Sequence, residues 1–390
     1  VVKQCVEKGI LKDTGISIDA THTVANTFKA TPERVMKRLA NKIFKSYEKE
    51  SGELPENINQ DIPKYKEIEN HNEAKKILKD YLESEMAKVG DIITAEDQPK
   101  TFELLENAKE ILSDPKFIEQ KGVRSIVDQE ARVGHKSKTD HFFGYKTEFI
   151  MTTDQRIITA VTVDHGAYVD GTDFERLMEL TERTGLNIKE VYGDKAYFKK
   201  PILDRINGIE AKSYIPVSES VYRIDEEMFR YNKDSDEWFC NIGNNTISKK
   251  YSKRKTGKES YRYYFDKEMC RNCTKRNECI SGNNIGRVLE VGLNAPEYYS
   301  YSKEQKSEEF KENYKSKACQ EGKNREMKNH HGLNRAQGYG KRSMTTQAKL
   351  TALEVNLKRI ASILSSKLPK AFNIFDIIRL YFAIFRNTII

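Results

Sequence analysis

Two short apolar segments, far apart in the chain, each run into an aspartate. Residues 16–20 (ISIDA) alternate apolar and polar side chains and contain Asp19. Residues 188–194 (IKEVYGD) end in Gly193 and Asp194. Apolar runs of this length, bounded by Gly and polar residues, predict short strands. The chain must therefore place two strands that carry an acid at or near their ends, which restricts the folds open to it.

The segments between these strands have a regular order. Residues 142–151 and 156–163 have strand composition and are separated by four polar residues, which predicts a hairpin. A helix is predicted from about Asp173 to Arg183, ahead of Gly185, and a long polar helix from Pro296 to about His331. This order resembles that of a ribonuclease-H-like α/β fold, a mixed sheet flanked by helices. In that fold the first and fourth strands are neighbours, so Asp19 and Asp194 are expected to meet.

Changes in composition predict six regions. Two of them interrupt the predicted core as insertions, one helical and one β-rich with cysteines. The regions are 1–30 (first strand), 31–130 (helical insertion), 131–200 (core), 201–300 (basic, Tyr-rich insertion with cysteines), 301–365 (catalytic helix and a core helix carrying Leu353, Leu357, Ile360 and Leu364) and 366–390 (a docking helix).

The charge balance favours a polyanionic partner. The chain has 67 Lys and Arg against 59 Asp and Glu, a net charge of +8, and cationic surfaces attract phosphates. The apolar C-terminal stretch is interrupted by Asp376, Arg379 and Arg386, so it predicts a docking helix and not a membrane span. The first residues do not resemble a signal peptide, and we expect a cytoplasmic protein.

A third acid stands among cations in the predicted polar helix. Tyr314, Lys317, Glu321 and Lys328 are spaced three, four and seven residues apart, which places them on one face of a continuous helix. A face with one acid, two cations and a Tyr can hold phosphates beside a metal ligand. The alternative is a solvated helix with local ion pairs.

This spacing resembles the Tyr, Arg, Glu, Lys signature of DDE-type bacterial insertion-sequence transposases, with Lys317 in the place of Arg. Further segments resemble the same family in the same order. They are residues 17–26 (SIDATHTVAN), 128–132 (DQEAR), 144–146 (GYK), 193–197 (GDKAY) and 356–359 (NLKR). A Lys at position 317 lacks the two-pronged phosphate contact of Arg.

The resemblance implies a metal-dependent enzyme. Asp19, Asp194 and Glu321 would hold two Mg²⁺ or Mn²⁺ ions, with Asp19 between them, and the enzyme would hydrolyse the phosphodiester at an element end. The freed 3′-hydroxyl would then attack target DNA. Tyr314 and Lys328 would hold the phosphate or the leaving strand. The implied partner is double-stranded DNA of the nucleoid, bound by a homodimer. The family's N-terminal DNA-binding domain is expected to be missing, since only about fifteen residues precede the first strand.

Four cysteines are grouped in the Tyr-rich region. Cys270, Cys273 and Cys279 follow Cys240 by thirty residues or more. Four thiolates with one Cys-x-x-Cys pair predict a structural zinc site, and relatives of the transposase branch have a similar pattern. The alternative is a set of reduced, partly buried cysteines without metal.

Two segments are rich in cations. Residues 249–276 hold eleven Lys and Arg against three acids, interleaved with aromatic residues. They predict either a nucleic-acid surface or a hairpin with one buried aromatic face. Residues 323–342 hold six cations and one acid. There Lys323, Lys328 and Arg335, together with Tyr314 and Lys317 upstream, are the predicted phosphate contacts.

The sequence thus predicts a transposase that cuts and joins DNA with three carboxylates and two divalent ions. One rival is a catalytically inactive DNA-binding protein derived from such an enzyme. Another is a zinc-stabilised nucleic-acid module of unrelated origin, which explains the cysteines but leaves the three acids to chance.

Overall fold

The computed structural model describes residues 1–27, 29–119, 123–137, 139–282 and 284–367. Most of the predicted docking helix at 366–390 lies outside these residues. Among the helices that are described, none is both long and apolar enough to cross a membrane.

Thirteen α-helices and eleven strands are present in the described residues. The helices are α1 (Val2–Glu7), α2 (Pro32–Ser51), α3 (His71–Gly90), α4 (Pro99–Ser113), α5 (Pro115–Glu119), α6 (Phe174–Glu182), α7 (Lys200–Gly208), α8 (Lys267–Arg271), α9 (Arg276–Cys279), α10 (Ala295–Glu304), α11 (Glu308–Tyr314), α12 (Cys319–His330) and α13 (Gly340–Lys367). The strands are β1 (Gly15–Val24), β2 (Arg132–His135), β3 (His141–Thr152), β4 (Ile158–His165), β5 (Glu190–Tyr192), β6 (Lys212–Tyr214), β7 (Phe229–Asn232), β8 (Glu237–Cys240), β9 (Thr246–Lys253), β10 (Glu259–Phe265) and β11 (Val288–Val291). The chain is therefore a mixed α/β protein.

The main sheet has six strands and β1 lies at its centre. On one side β1 pairs antiparallel with β3, which in turn pairs with β4 and β2. On the other side β1 pairs parallel with β5, and β5 pairs parallel with β6. The predicted hairpin is confirmed as β3 and β4, and the predicted neighbourhood of the first and fourth core strands is confirmed by the β1–β5 ladder.

The first strand is longer than its composition predicts. It runs from Gly15 to Val24, so Asp19 lies in the middle of β1 and not near its end. Its ladder with β5 is short, however, and covers only Gly15 to Ser17. Beyond Ser17 the β5-facing edge of β1 pairs with no other strand among the described residues, apart from an isolated parallel bridge between Val24 and Arg335. Helix α12 approaches β1 there, and Gln320 donates a hydrogen bond to the carbonyl of Ser17.

The two faces of the sheet are covered by different helices. Because side chains alternate along a strand, Ile16 and Ile18 of β1 pack with α6 and α7. On the opposite face, Phe149 and Met151 of β3 pack with α12 and α13. Helices α2 to α5 bury their own apolar side chains in a separate cluster between Ala30 and Phe117. The six predicted regions stay a prediction.

The long polar helix predicted after Pro296 is wrong, because it is broken into three helices. Ser307 caps α11 by accepting a hydrogen bond from the Phe310 backbone N–H at 3.1 Å. A 3₁₀ turn, Lys315–Ala318, then separates α11 from α12. The face predicted for the last helix is also partly wrong. Leu353 is exposed, while Ala352, Val355 and Ile360 are buried.

Candidate active site

Asp19 and Asp194 lie at the same level of the sheet. The last pair in the parallel ladder between β1 and β5 is Ser17 with Tyr192, and each aspartate comes two residues after its member of that pair. Side chains two residues apart on a strand point to the same face. The two carboxylates are close enough to interact electrostatically, since Asp194 raises the pKa of Asp19.

Asp19 is held by groups from α12 and from the turn before it. Its Oδ2 accepts hydrogen bonds from Asn324 Nδ2 and Lys317 Nζ, both at 3.1 Å. Its Oδ1 accepts one from the Ala20 backbone N–H at 2.9 Å. Burial raises the pKa of the Asp19 carboxyl above its usual value, the Lys317 ammonium lowers it, and Asp194 raises it further. The site thus holds two neighbouring carboxylates that favour a cation.

Asp194 begins a 3₁₀ turn and stays partly open to solvent. Its Oδ1 accepts a hydrogen bond from the Ala196 backbone N–H at 2.8 Å. Tyr314 lies within electrostatic range of both aspartates. Burial first, and then the charges of Asp194 and Asp19, raise the pKa of Tyr314 to about 12. The hydroxyl therefore stays protonated at neutral pH and can donate a hydrogen bond to a phosphate oxygen.

In the described residues Glu321 does not form a metal-holding group with Asp19 and Asp194. It is exposed on α12, and no group of three or more His, Cys, Asp or Glu side chains in the described part of the chain is arranged to hold a metal ion. The predicted single face assumed a continuous α-helix. The 3₁₀ turn at Lys315–Ala318 advances by 120° a residue instead of 100°, which shifts Glu321 relative to Lys317 by about 40° over the two residues of the turn between them. Lys317 reaches Asp19, while Glu321 is exposed.

The other predicted phosphate contacts have different surroundings. Lys323 is 4% exposed and pairs with Glu326 at 2.8 Å, so its ammonium does not face solvent. Arg335 is exposed and donates a hydrogen bond to Asn26 Oδ1 at 3.1 Å. Lys328 is half-buried against His22. For all three, DNA contact stays a prediction.

A buried carboxylate that sequence reasoning missed lies on the opposite face of the sheet. Glu148 of β3 is 2% exposed and pairs across the ladder with Ala20, the neighbour of Asp19. It accepts hydrogen bonds from Tyr197 Oη at 2.8 Å and Tyr168 Oη at 2.9 Å, and from a backbone N–H. Tyr197 closes the 3₁₀ turn that Asp194 begins, so Glu148 connects that turn to β3.

Several residues in the segments that resemble the transposase family have a structural role in this fold. Asp128 accepts hydrogen bonds from Tyr145 Oη and from the Gly340 backbone N–H, which fixes the start of α13. A Cβ on Gly144 would lie 2.1 Å from the carbonyl oxygen of Thr23, so this close approach of β3 to β1 requires glycine.

The C-terminal motif also anchors α13. The Asn356 side chain accepts a hydrogen bond from the Ile158 backbone N–H and donates one to its carbonyl, both at 2.8 Å. It acts as an extra strand residue on β4. Arg359 Nε donates to the carbonyl of Gln155 in the β3–β4 turn at 3.0 Å.

The four grouped cysteines line one cavity of about 450 Å³. All are free thiols. Asn244 Nδ2 donates a hydrogen bond to Cys270 Sγ at 3.1 Å. Burial raises the pKa of Cys279, Arg287 lowers it, and Cys270, Cys240 and Cys273 raise it, so the four thiols interact electrostatically. Within the described residues, however, they do not form a group arranged to hold a metal ion.

The basic segment 249–276 includes the hairpin of β9 and β10. Tyr263 and Phe265 are buried on its inner face. Several of its cations are paired within the unit: Lys249 with Asp236, Lys253 with Glu259, and Arg254 and Arg262 with Glu290. This arrangement favours the hairpin with a buried aromatic face over the nucleic-acid surface.

One family model matches the chain. It is described as a transposase DDE domain and covers residues 239–361, from the cysteine-bearing unit to α13. No curated protein and no solved structure shows significant similarity to the chain. The matched segment contains Glu321 but neither Asp19 nor Asp194, and the match supports the assignment of this chain to the DDE-type transposases.

Proposed function

We propose that this transposase cuts DNA by phosphodiester hydrolysis at element ends and joins the freed 3′-hydroxyl to target DNA. The observation that carries the proposal is the position of Asp19 and Asp194, side by side past the end of the β1–β5 ladder. The family match implies a DNA substrate. We propose double-stranded DNA of the nucleoid as that substrate, bound in the cytoplasm by two copies of the chain.

The sheet order supports a ribonuclease-H-like core. A central strand lies between an antiparallel hairpin on one side and two parallel strands on the other. Helices cover both faces. The first and fourth core strands are neighbours, as predicted from the sequence, and this brings Asp19 and Asp194 within electrostatic range of each other.

The donor atoms fit Mg²⁺ or Mn²⁺ in part. Carboxylate oxygens are the ligands that Mg²⁺ prefers, and the neighbouring charges of Asp19 and Asp194 favour a cation. The Lys317 ammonium supplies positive charge to Asp19. Asp19 and Asp194 would be protein ligands, and Glu321 would have to turn toward them from the exposed face of α12 to complete the set. Two ions bound there would stabilise the attacking and leaving oxygens of an in-line displacement.

The chain's own side chains would orient the DNA. Lys317 and Tyr314 adjoin the two aspartates and would contact the phosphate that is cut. Lys328 and Arg335 lie farther along β1, beside His22 and Val24. There they would contact the flanking phosphates. Asn324 fixes the orientation of the Asp19 carboxylate through its hydrogen bond.

Nicking of supercoiled plasmid tests this proposal. The wild-type chain is expected to nick with Mg²⁺ or Mn²⁺, and Asp194→Asn is expected to lose nicking while it keeps its thermal midpoint. Asn retains an oxygen that can accept from Ala196. Asp234→Asn, at an exposed position in the β7–β8 turn, is the matched control and should nick like wild type. Undiminished metal-dependent nicking by Asp194→Asn would refute the proposal.

A catalytically inactive DNA-binding protein is the second candidate. The exposed position of Glu321 and the Lys317 ammonium on Asp19 favour it. It requires that the wild-type chain bind duplex DNA equally well with and without Mg²⁺ and nick no DNA with either ion.

We also propose that Cys240, Cys270, Cys273 and Cys279 hold a structural Zn²⁺. Four thiols around one cavity match the ligand number and type of such sites. A bound ion would tie β8 to α8 and α9, two helices of only five and four residues.

A further inference from the structure

Helix α12 places two amide side chains against β1, close to Asp19. Gln320 is fully buried and donates a hydrogen bond from Nε2 to the carbonyl of Ser17 at 2.7 Å. Asn324 lies about one helical turn later on the same face, and its Nδ2 donates to Oδ2 of Asp19 at 3.1 Å. Ser17 and Asp19 are two residues apart on β1 and therefore point to the same face of the sheet. The contact with Ser17 fixes α12 on β1 and holds Asn324 beside the Asp19 carboxylate.

Several oxygen atoms at this contact lack a hydrogen-bond donor. Ser17 Oγ, Gln320 Oε1 and Asn324 Oδ1 are all buried, and none has a hydrogen-bond partner within the part of the chain that the structure describes. A buried polar atom without a partner costs free energy. Of the three side chains, that of Asn324 contacts the Asp19 carboxylate. Unpaired acceptor oxygens beside a carboxylate form surroundings that a cation would stabilise.

The amide of Asn324 can present either of its two ends to Asp19. Its oxygen and its NH₂ group have nearly the same shape, so a half-turn of the amide exchanges them with little other movement. Without a cation the NH₂ end is favoured, because it donates to the Asp19 carboxylate, and the amide oxygen is left unpaired. With a divalent cation on Asp19 the oxygen end is favoured, since carbonyl oxygens bind such ions and an NH₂ group does not.

Asn324 is better placed than Glu321 to supply a third oxygen beside the two aspartates. Glu321 is exposed on α12, three residues earlier in the chain. Asn324 already contacts Asp19, and Asp194 lies within electrostatic range of the same carboxylate. Carbonyl oxygens are suitable ligands for Mg²⁺ and Mn²⁺, and protein kinases hold Mg²⁺ with an Asp and an Asn. An Asn beside two aspartates therefore matches the chemistry of a magnesium site.

We propose that Asn324 is a ligand, through its amide oxygen, of the divalent cation that Asp19 and Asp194 bind. The proposal rests on the proposed function and adds to it a neutral ligand from α12. Lys317 and Asn324 donate to the same oxygen of Asp19, Oδ2, so binding of a cation at that oxygen requires both donors to move. The ligands would come from β1, from the turn after β5 and from α12, and the cation would tie α12 to the sheet.

The experiment is equilibrium binding of Mn²⁺ to the full chain, with and without duplex DNA, measured from the electron paramagnetic resonance signal of the free ion. Asn324→Leu keeps a similar shape and removes the oxygen. It is expected to weaken Mn²⁺ binding at least about tenfold, since even the loss of an outer partner of a metal ligand has effects of this size. Asn324→Asp keeps an oxygen and is expected to bind Mn²⁺ at least as tightly as wild type. Asn329→Leu, at an exposed position of α12, is the matched control, and thermal midpoints in EDTA verify that each variant is folded.

A crystal structure with Mn²⁺ distinguishes a ligand from a residue that only positions Asp19. The ion is located by its anomalous scattering, and Asn324 Oδ1 is expected at ligand distance from it, about 2.0–2.3 Å. If Nδ2 still donates to Asp19 while the ion is bound, Asn324 positions Asp19 and the proposal is wrong. In that case Asn324→Asp should bind Mn²⁺ as weakly as Asn324→Leu, because an ionised carboxylate cannot donate a hydrogen bond.

The remaining outcomes separate this proposal from the proposed function. If wild type nicks DNA while Asn324→Leu binds Mn²⁺ like Asn329→Leu, Asn324 is not a ligand and the proposed function stands. A larger loss of Mn²⁺ affinity in Glu321→Gln than in Asn324→Leu would assign the third ligand to Glu321 and overturn the proposal. If the wild-type chain neither binds Mn²⁺, with or without DNA, nor nicks DNA, both proposals fail.

Discussion

The ammonium of Lys317 lies 3.1 Å from Oδ2 of Asp19, and the two side chains are only 13% and 18% exposed. Asp19 also has Asp194 as a neighbour, so Lys317 supplies positive charge where two carboxylates meet. The same position would be attractive to a divalent ion. Lysine and metal therefore compete for one carboxylate in the arrangement that we propose.

Replacing Lys317 tests this competition. Lys317→Met leaves a mostly buried carboxylate beside Asp194 without its partner, which should lower the free energy of unfolding by about 1–3 kcal/mol in EDTA. Added Mg²⁺ should raise the free energy of unfolding of Lys317→Met by more than it raises that of wild type. Urea unfolding with and without Mg²⁺ measures both effects. Lys315→Met, at an exposed neighbouring lysine, is the control. An equal Mg²⁺ effect in all three proteins would contradict the competition.

Tyr197 and Tyr168 allow the effect of Glu148 on the position of Asp194 to be tested separately from its effect on the stability of the fold. Tyr197 and Tyr168 both donate to Glu148, but only Tyr197 lies in the turn that Asp194 begins. Tyr197→Phe should reduce the nicking rate by about ten- to a hundredfold, because small displacements of a catalytic group have effects of this size. Tyr168→Phe should lose comparable stability and retain its nicking rate. Equal rates for the two variants, with DNA affinity unchanged, would show that Glu148 serves packing alone.

The two hydrogen bonds of the Asn356 side chain to Ile158 should contribute to the stability of the fold. Asn356→Ala leaves the buried N–H and carbonyl of Ile158 without partners, which should lower the free energy of unfolding by about 2–4 kcal/mol. Asn329→Ala, at an exposed position of α12, should change it by less than about 0.5 kcal/mol. Urea denaturation measures both. A loss at Asn356 no larger than at Asn329 would mean that the two hydrogen bonds contribute nothing to stability.

Stability should depend on His22 in mild acid. Its pKa is about 4 in the folded chain against an ordinary 6.5, so between these values the unfolded chain binds a proton that the folded chain does not. The contribution is fully present above about pH 6.5 and is lost as pH falls through about 4. The urea midpoint of wild type should therefore fall more steeply over this window than that of His22→Phe. Parallel curves would exclude a depressed His22 pKa.

Metal analysis tests the cysteine site. The purified chain should contain about one Zn²⁺ per molecule, and Cys273→Ser should lose it together with several degrees of thermal midpoint. Cys319 is buried in another cluster, so Cys319→Ser should keep the metal. Chelation should destabilise wild type but not Cys273→Ser. A metal-free wild-type protein with the same midpoint before and after chelation would leave the cysteines as reduced thiols.

The sequence alone determined the local elements and their order. The hairpin of β3 and β4, helix α6 and the strand before Asp194 all follow from periods of apolar residues that report which face of an element is buried. The neighbourhood of β1 and β5 was predicted from the resemblance of that order to a ribonuclease-H-like fold, and the structure adds that the two strands are parallel. Neighbouring strands also place Asp19 and Asp194 close together, because each aspartate follows the last pair of the β1–β5 ladder by two residues.

The tertiary structure decided which side chains of the segment from Tyr314 to Lys328 reach the two aspartates. A spacing of three, four and seven residues places side chains on one face only if the helix is continuous, and the cap at Ser307 and the 3₁₀ turn at Lys315–Ala318 change the phase. The same limit applies to Asn356 and Asp128, whose partners lie up to about two hundred residues away. Periodicity records a residue's local direction, whereas these contacts depend on how distant elements pack.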